Sequence, residues 1–133
     1  MPTIFSRIIA GEIPSVRIYE DSVCIVILDI APMAKGHCLV IPRECWPTVA
    51  ECPAEAFAHL MEVVRKVDAR LRAVLGADAT NIMINNGPAA GQEVPHLHIH
   101  VIPRMLDDGL RMKIVKQTYG PGEMQQFGQR LAM

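Results

Sequence analysis

Three histidines at alternate positions are the residues of this chain whose types and spacing most clearly suggest chemistry. They are His96, His98 and His100. The residues between and directly after them are aliphatic: Leu97, Ile99 and Val101. Because a β-strand sends successive side chains to opposite faces, we predict a strand that presents the three imidazoles in one row and buries the aliphatic side chains behind them.

Three roles for such a row are open from the residue types alone. The histidines could be ordinary core or surface residues with satisfied hydrogen bonds. Neutral imidazole is also a common metal ligand. Finally, an imidazole can attack phosphorus and form a covalent intermediate, which divides one difficult displacement into two easier ones. Flanking imidazoles and the amides of a glycine turn could then donate to the phosphate oxygens.

Spacing weakens the metal hypothesis. At a rise of about 3.3 Å per residue, His96 and His100 lie ~13 Å apart on a straight strand, whereas zinc holds its nitrogen ligands at about 2.0–2.1 Å. At most two neighbours could share one ion, with a third ligand from His37 or His59. The pattern therefore favours nucleophilic catalysis by the middle residue, His98.

Composition predicts one globular domain. The chain has 133 residues, half of them apolar and a fifth charged, which allows a core and is not typical of disorder. A net charge of −1 gives no electrostatic basis for binding nucleic acid or a membrane surface, and we see no targeting or membrane-spanning segment. Four cysteines form no Cys-x-x-Cys pair: Cys24, Cys38, Cys45 and Cys52. We therefore expect a reduced protein in the cytoplasm.

Hydrophobic periodicity predicts the elements that must position the histidine row. A short helix begins at Ile4 and closes at Gly11. The segment from 53 to 75 is a long helix, because Pro53 suits a first helical position and Gly76 a helix end. Its apolar residues form one stripe: Phe57, Leu60, Met61, Val64, Val67, Leu71, Val74 and Leu75. Besides the histidine strand, four strands are predicted: 15–20, 24–30, 37–41 and 81–85.

These elements predict an α+β fold. We expect a single domain over residues 1–133, with an antiparallel sheet of about five strands and with one long and one short helix on one face of that sheet. Residues 105–133 form a C-terminal tail. A further short helix is predicted there over 121–131, with its apolar residues facing inward: Met124, Phe127 and Leu131.

The histidine segment resembles a known family. Residues 96–102 match the His-φ-His-φ-His-φ-φ signature of the histidine triad (HIT) superfamily, where φ is a hydrophobic residue. The resemblance covers about residues 4–104 and is closest to bacterial-type proteins near the Hint branch. Further matching segments occur in the family's order: Ile4-Phe5, Gly11-Glu12-Ile13-Pro14, Tyr19-Glu20-Asp21, Leu28-Asp29-Ile30, Pro32, Gly36-His37, Leu39-Val40-Ile41-Pro42, Asn85 and Gly91-Gln92.

The resemblance implies a nucleotide hydrolase or transferase that acts at the α-phosphate of purine nucleotides, needs no cofactor and forms a homodimer. His98 matches the attacking histidine, His96 and His100 match its flanking partners, and Gln92 matches a residue near the scissile phosphate. Asp29 matches the acceptor of the ribose hydroxyls. Asn85 and Gly91 match the phosphate side of the nucleotide site. Seven residues match positions that sandwich the base: Ile4, Phe5, Ile8, Ile13, Ile27, Ile30 and Leu39.

Departures from the family pattern affect the expected metal and substrate. Many relatives bind structural zinc through two cysteines and two histidines. The histidine positions are kept here as His37 and His96, but the cysteine positions are Thr3 and Ser6; two imidazoles alone make a poor zinc site, and we expect no bound metal. The position after Gln92 is often a hydroxyl residue but is Glu93 here, and the segment 101–104 is similar to dinucleoside polyphosphate hydrolases. We expect a nucleoside phosphoramidase that releases AMP or GMP. The alternatives are dinucleoside polyphosphate hydrolysis, or nucleotide binding and signalling with vestigial hydrolysis.

Overall fold

A five-stranded antiparallel sheet organises the fold, in a computed structural model that describes residues 2–133. The strands lie in the order β1-β2-β3-β5-β4, so β5 is an interior strand flanked by β3 and β4. The predicted α+β class and the five antiparallel strands are confirmed. The strands are β1 (Arg17–Glu20), β2 (Cys24–Leu28), β3 (Cys38–Pro42), β4 (Ala79–Met83) and β5 (Ile99–Arg104).

Three α-helices accompany the sheet: α1 (Ile4–Ile9), α2 (Ala54–Leu75) and α3 (Glu123–Leu131). Two 3₁₀ turns lie in the connections: Val49–Glu51 and Pro88–Ala90. Gly76 ends α2 as predicted, with φ at 67°, a left-handed conformation in which a side chain would be strained.

Both faces of the central strands are covered, so the expectation that the helices lie on one face is wrong. In β2, Cys24 and Val26 pack in the cluster beneath α2, whereas Ile25 and Ile27 pack in the cluster beneath α1. The apolar run from 23 to 28 is continuous rather than alternating, and a short continuous run is typical of a strand buried on both sides. The sheet is therefore sandwiched between α1 and α2.

The buried face of α2 is shorter than its apolar stripe. Val63, absent from the predicted stripe, is buried, while Val74 and Leu75 are 60% and 45% exposed. A 22-residue helix is about 33 Å long, whereas a five-residue strand spans about 17 Å. The last turn of α2 therefore extends beyond the strands that could cover it. The buried residues of α2 are Leu60, Val63, Val64, Val67 and Leu71.

Asp21 closes the β1–β2 hairpin, at the turn that the sequence predicts. Its Oδ1 accepts from the backbone N–H groups of Val23 and Cys24, each at 2.8 Å. Its Oδ2 accepts from the Tyr19 hydroxyl at 2.8 Å and lies 2.7 Å from Nε2 of His59. Burial raises the pKa of Asp21, but His59 and the other donors outweigh it and hold that pKa well below its usual range. His59 thereby ties the hairpin to α2.

The tail after β5 corrects one expectation. Its helix α3 lies within the predicted range, but no residue of α3 is buried. Met124, Phe127 and Leu131 are 58%, 42% and 73% exposed, so the expected inward packing is wrong. Helical spacing reports that one face of a helix is apolar, not that the same chain supplies a surface to cover it. Within residues 2–133, no helix has both the length and the apolar character to cross a bilayer.

Candidate active site

The histidine segment joins the sheet only at its end. β5 begins at Ile99, so His100 lies inside the strand while His96 and His98 precede it; the expectation of one strand for all three is therefore corrected. Pro95 has no N–H to give, and Leu97 donates its N–H to the Trp46 carbonyl at 2.7 Å instead of to a strand. The aliphatic row behind the histidines is nevertheless buried beneath α2, as predicted: Leu97, Ile99 and Val101.

The contacts of the His98 ring determine which of its two nitrogens carries the proton. Its Nδ1 lies 2.8 Å from the carbonyl oxygen of His96, and a carbonyl oxygen can only accept, so Nδ1 carries the proton. The neutral ring therefore keeps its lone pair on Nε2. Phe5 and His100 contact the ring edge-on, with centroid distances of 4.9 and 5.0 Å. A ring fixed in this tautomer is equipped to act as a nucleophile through Nε2.

His96 is built into the core. Its ring is fully buried, with Nδ1 at 3.0 Å from the Thr3 hydroxyl and Nε2 at 2.8 Å from the Pro42 carbonyl. Since the carbonyl fixes the proton on Nε2, Nδ1 accepts from Thr3. Burial lowers the pKa of His96, which keeps the ring neutral. Both ring nitrogens are engaged within the protein, and the catalytic role expected for His96 stays a prediction.

His100 belongs to a second group of polar side chains. Its Nδ1 lies 2.9 Å from Nε2 of His37, and Nδ1 of His37 accepts from the backbone N–H of Met33 at 3.1 Å. Asp29 Oδ2 lies 3.8 Å from the same Nε2 of His37. Burial, followed by the neighbouring His98 and His37, lowers the pKa of His100 to about 4. The structure thus places His37, which the sequence suggested as a metal ligand, between two residues that were predicted separately for the site, Asp29 and His100.

The glycine-rich turn is braced by Gln92. Its Oε1 accepts from the Gly87 N–H at 2.7 Å, and its Nε2 donates to the Pro47 and Val94 carbonyls at 2.7 and 2.9 Å. Both amide hydrogens are used, so in this conformation Gln92 supports the loop rather than offering a donor to a phosphate. Its expected place near the scissile phosphate stays a prediction.

Asn85 and Gly91 come close together across this turn. Gly91 has φ at 93°, a left-handed conformation that favours glycine, and a Cβ built there would lie 3.9 Å from Nδ2 of Asn85. The two residues predicted on the phosphate side therefore share one edge of the loop.

The seven predicted base-contacting residues divide into two groups. Phe5, Ile8, Ile27 and Leu39 form a buried cluster beneath α1, and Ile13 packs against it. Ile4 and Ile30 are 47% and 93% exposed. Phe5, Ile8, Ile27 and Leu39 are 7%, 7%, 3% and 5% exposed, so only a small part of each side chain is accessible to a base. Base contact by all seven residues stays a prediction.

The residues at the family's zinc position do not fit a zinc ion. Thr3 Oγ1 accepts from the Ser6 N–H at 3.1 Å, and Ser6 Oγ donates to the Thr3 carbonyl at 2.9 Å. This capping box at the start of α1 uses hydroxyls, which lack the thiolate character that structural zinc favours. His96 and His37 cannot complete the set as they stand, because the nitrogens of both rings are engaged by other groups.

A second cluster of metal-binding residue types, Asp21, Cys24 and His59, lies at the hairpin. Burial raises the pKa of the Cys24 thiol to about 12, so without a bound metal this thiol is protonated near neutral pH. Asp21 instead contacts His59 of α2 and Tyr19 of β1, so these hydrogen bonds join the hairpin to the helix.

Comparisons with known proteins identify the family. A model of the HIT domain matches residues 10–106. The adenosine 5'-monophosphoramidase hnt1 of Schizosaccharomyces pombe is 35% identical over 133 residues, which cover 99% of this chain and 97% of the yeast protein. The adenylylsulfatase HINT3 of Arabidopsis thaliana is 41% identical over 107 residues, which cover 80% of this chain and 54% of the plant protein.

A solved structure matches the fold at full length. The crystal structure of a HIT family member from Bacillus subtilis superposes with a TM-score of 0.88 at 36% sequence identity, covering 99% of this chain and 96% of that one. The match includes the tail as well as the motif-bearing core. With the family model spanning most of the chain, these similarities settle the family: the protein belongs to the HIT superfamily and is of the Hint type.

Proposed function

We propose that this protein is a nucleotide hydrolase or transferase that acts at the α-phosphate of purine nucleotide adducts. The preferred substrates are amine or aminoacyl phosphoramidates, from which it releases AMP or GMP. The observation that carries the proposal is the tautomer of His98, which leaves an unprotonated Nε2 at a nearly buried ring. The names of the yeast and plant relatives support it, because adenosine phosphoramidates and adenylyl sulfate both carry a leaving group on the phosphorus of AMP.

In the proposed reaction, Nε2 of His98 attacks the α-phosphorus while the phosphorus–nitrogen bond of the substrate breaks. The leaving amine takes up a proton from the solvent, and the nucleotide remains as a phosphorus–nitrogen adduct on His98. Water then attacks the adduct and loses a proton to the solvent, AMP or GMP is released, and the lone pair on Nε2 of His98 is restored. His100 stands beside the attacking ring and can donate to a phosphate oxygen, where negative charge develops.

The covalent intermediate provides the test of this proposal. Rapid mixing with an adenosine phosphoramidate that carries labelled phosphorus, followed by an acid-free quench, should leave label on His98, located by peptide mass spectrometry. AMP should be the released product. Binding of AMP without any adduct or turnover would instead identify a purine-nucleotide binding or signalling protein.

Hydrolysis of dinucleoside polyphosphates is the second candidate. The segment from 101 to 104 and the acidic Glu93 support it, because they depart from the phosphoramidase pattern towards that branch. Values of kcat/KM for an adenosine phosphoramidate and a diadenosine polyphosphate, measured side by side, decide between the two leaving groups.

Asp29 is proposed to bind the ribose, with Asn85 and Gly91 beside the phosphate and the accessible apolar residues around the base. Its Oδ1 accepts from the Ala31 N–H at 2.9 Å, which fixes the carboxylate next to His37 and leaves Oδ2 for a ribose hydroxyl. Asp29→Asn replaces one acceptor oxygen with a donor. We expect KM to rise about 10-fold or more with little change in kcat, the signature of lost uniform binding; steady-state kinetics with one phosphoramidate check this. A fall in kcat alone would contradict it.

The assembly and location of the protein are also proposals. The family resemblance implies a homodimer, and the edge position of β4 with the half-exposed Ile82 supports a pairing surface there. The unpaired cysteines support the cytoplasm, because reducing compartments keep thiols free.

A further inference from the structure

A chain of hydrogen bonds leads from a backbone amide into the active site. It begins at the N–H of Met33, which donates to Nδ1 of His37 over 3.1 Å. Nε2 of His37 lies 2.9 Å from Nδ1 of His100. The last atom, Nε2 of His100, is buried and has no hydrogen-bond partner among residues 2–133.

The direction of donation along these hydrogen bonds follows from the first of them. A backbone N–H can only donate, so Nδ1 of His37 must accept and the proton of neutral His37 must lie on Nε2. That proton is donated to Nδ1 of His100, which leaves the proton of neutral His100 on its own Nε2. Asp29 Oδ2, 3.8 Å from Nε2 of His37, favours a proton on that nitrogen.

Both rings are neutral, as this reasoning requires. Burial lowers the pKa of His37, against the opposing effect of Asp29. Burial, followed by His98 and His37, lowers the pKa of His100. The lowered pKa of each ring favours its neutral form near neutral pH, while the hydrogen bonds select the tautomer.

Adjacent rings consequently present opposite groups. His98 donates through Nδ1 and keeps a lone pair on Nε2, while His100 accepts through Nδ1 and keeps an N–H on Nε2. A buried N–H without a partner is costly, at about 1–3 kcal/mol, and such groups in native structures call for an explanation. An oxygen of an anionic ligand that enters beside His98 would supply the missing acceptor.

We propose that His37 is a positioning residue that keeps the proton of His100 on Nε2, so that His100 offers an N–H to an oxygen of the phosphoryl group that His98 attacks. The identity of the ligand rests on the proposed function. The tautomer of His100 does not, because it follows from the contacts of the protein alone.

The tautomer can be measured directly. Long-range ¹H–¹⁵N correlation spectra of the labelled protein distinguish a protonated from an unprotonated ring nitrogen, and His100→Asn assigns the signals of His100 by their disappearance. We expect wild-type His100 to show protonated Nε2 and unprotonated Nδ1. The reverse pattern would overturn the proposal.

Two substitutions of His37 then test its role. His37→Leu keeps an apolar side chain but removes the donor, and we expect His100 to populate both tautomers. His37→Gln can place an amide N–H near the position of Nε2, so it should restore the wild-type pattern in part. An unchanged spectrum in His37→Leu would show that another group sets the tautomer. If His37→Leu does not fold, the wild-type and His37→Gln spectra still decide the point.

Kinetics provide the functional measurement. We expect His37→Leu to lower kcat about 10- to 100-fold with little change in KM, a smaller loss than the roughly 10²–10³-fold cost of removing a stabilising donor outright. His37→Gln should recover most of that loss. His59→Gln is the matched control, because His59 also contacts a carboxylate, that of Asp21 at the β1–β2 hairpin. This substitution should leave the spectrum of His100 and kcat unchanged.

The outcomes separate the two proposals. If the wild-type protein shows the expected tautomer but no turnover, the proposed enzymatic activity is rejected and the effect of His37 on His100 is kept. If His37→Leu turns over normally, or shows a raised KM with unchanged kcat, the positioning role of His37 is rejected and the proposed activity is kept.

Discussion

His98→Asn is expected to lower kcat by about 10⁴- to 10⁶-fold, because it removes the nucleophile itself. Loss of the attacking group in a catalytic triad costs about 10⁶-fold, and no neighbouring side chain here can replace the lone pair. His96 uses both of its nitrogens in the core, and His100 carries its proton on the free nitrogen. The asparagine amide can still donate to the His96 carbonyl, so the local backbone should be preserved.

Three measurements separate chemistry from folding in this variant. Steady-state turnover of an adenosine phosphoramidate gives the loss in kcat, calorimetric titration with AMP should give an affinity within a few-fold of wild type, and thermal unfolding should give a similar Tm. No adduct should form after the quench. Turnover within tenfold of wild type would exclude His98 as the nucleophile.

His96→Ala is expected to have the opposite effect, a loss of stability with chemistry retained. Removing a fully buried ring leaves a cavity, and comparable deletions of large buried side chains cost about 3–5 kcal/mol. The Pro42 carbonyl and the Thr3 hydroxyl also lose their partner. The carbonyl that orients His98 belongs to the backbone of residue 96, so the attacking ring keeps its tautomer.

Denaturant unfolding measures this change, and we expect the free energy of unfolding to fall by about 3–5 kcal/mol. The kcat of protein kept folded at low temperature should stay within about tenfold of wild type. Thr3→Val is the comparison variant, because it keeps the His96 ring but removes both the hydroxyl donor to that ring and the cap that accepts from the Ser6 N–H, and it should cost about 1–3 kcal/mol. A stable His96→Ala protein with abolished turnover would support the catalytic role expected from the sequence.

Much of the fold could be predicted because its signals are local. The apolar runs of β2 and β3, the helical stripe of α2 and the glycine after it are all visible within short windows. The continuous apolar run of β2 indicates burial on both sides, but it does not identify which element packs on which side, and the covering of both sheet faces was missed. The exposure of α3 was missed for the same reason, since an amphipathic pattern does not identify a partner surface.

The site was predictable in its residue types but not in their individual roles. The alternating spacing places His98 beside His100 and the aliphatic row in the core, as the structure has them. It cannot reveal that Thr3, 93 positions away, contacts His96, or that Gln92 is fully used by three backbone groups. Such contacts depend on how distant segments meet, and they decide whether a polar side chain is available to a ligand.

The interior position of β5 has a consequence for how the specificity of this protein can change. His98, the proposed nucleophile, directly precedes a strand that is held on both sides by neighbouring strands, with Ile99 and Val101 of that strand wholly buried. Asp29 and the turn around Gly91, in contrast, lie in connecting loops, where substitutions disturb few packed neighbours. Substitutions in these loops can therefore change which leaving group an accepted substrate carries, while the position of His98 stays the same.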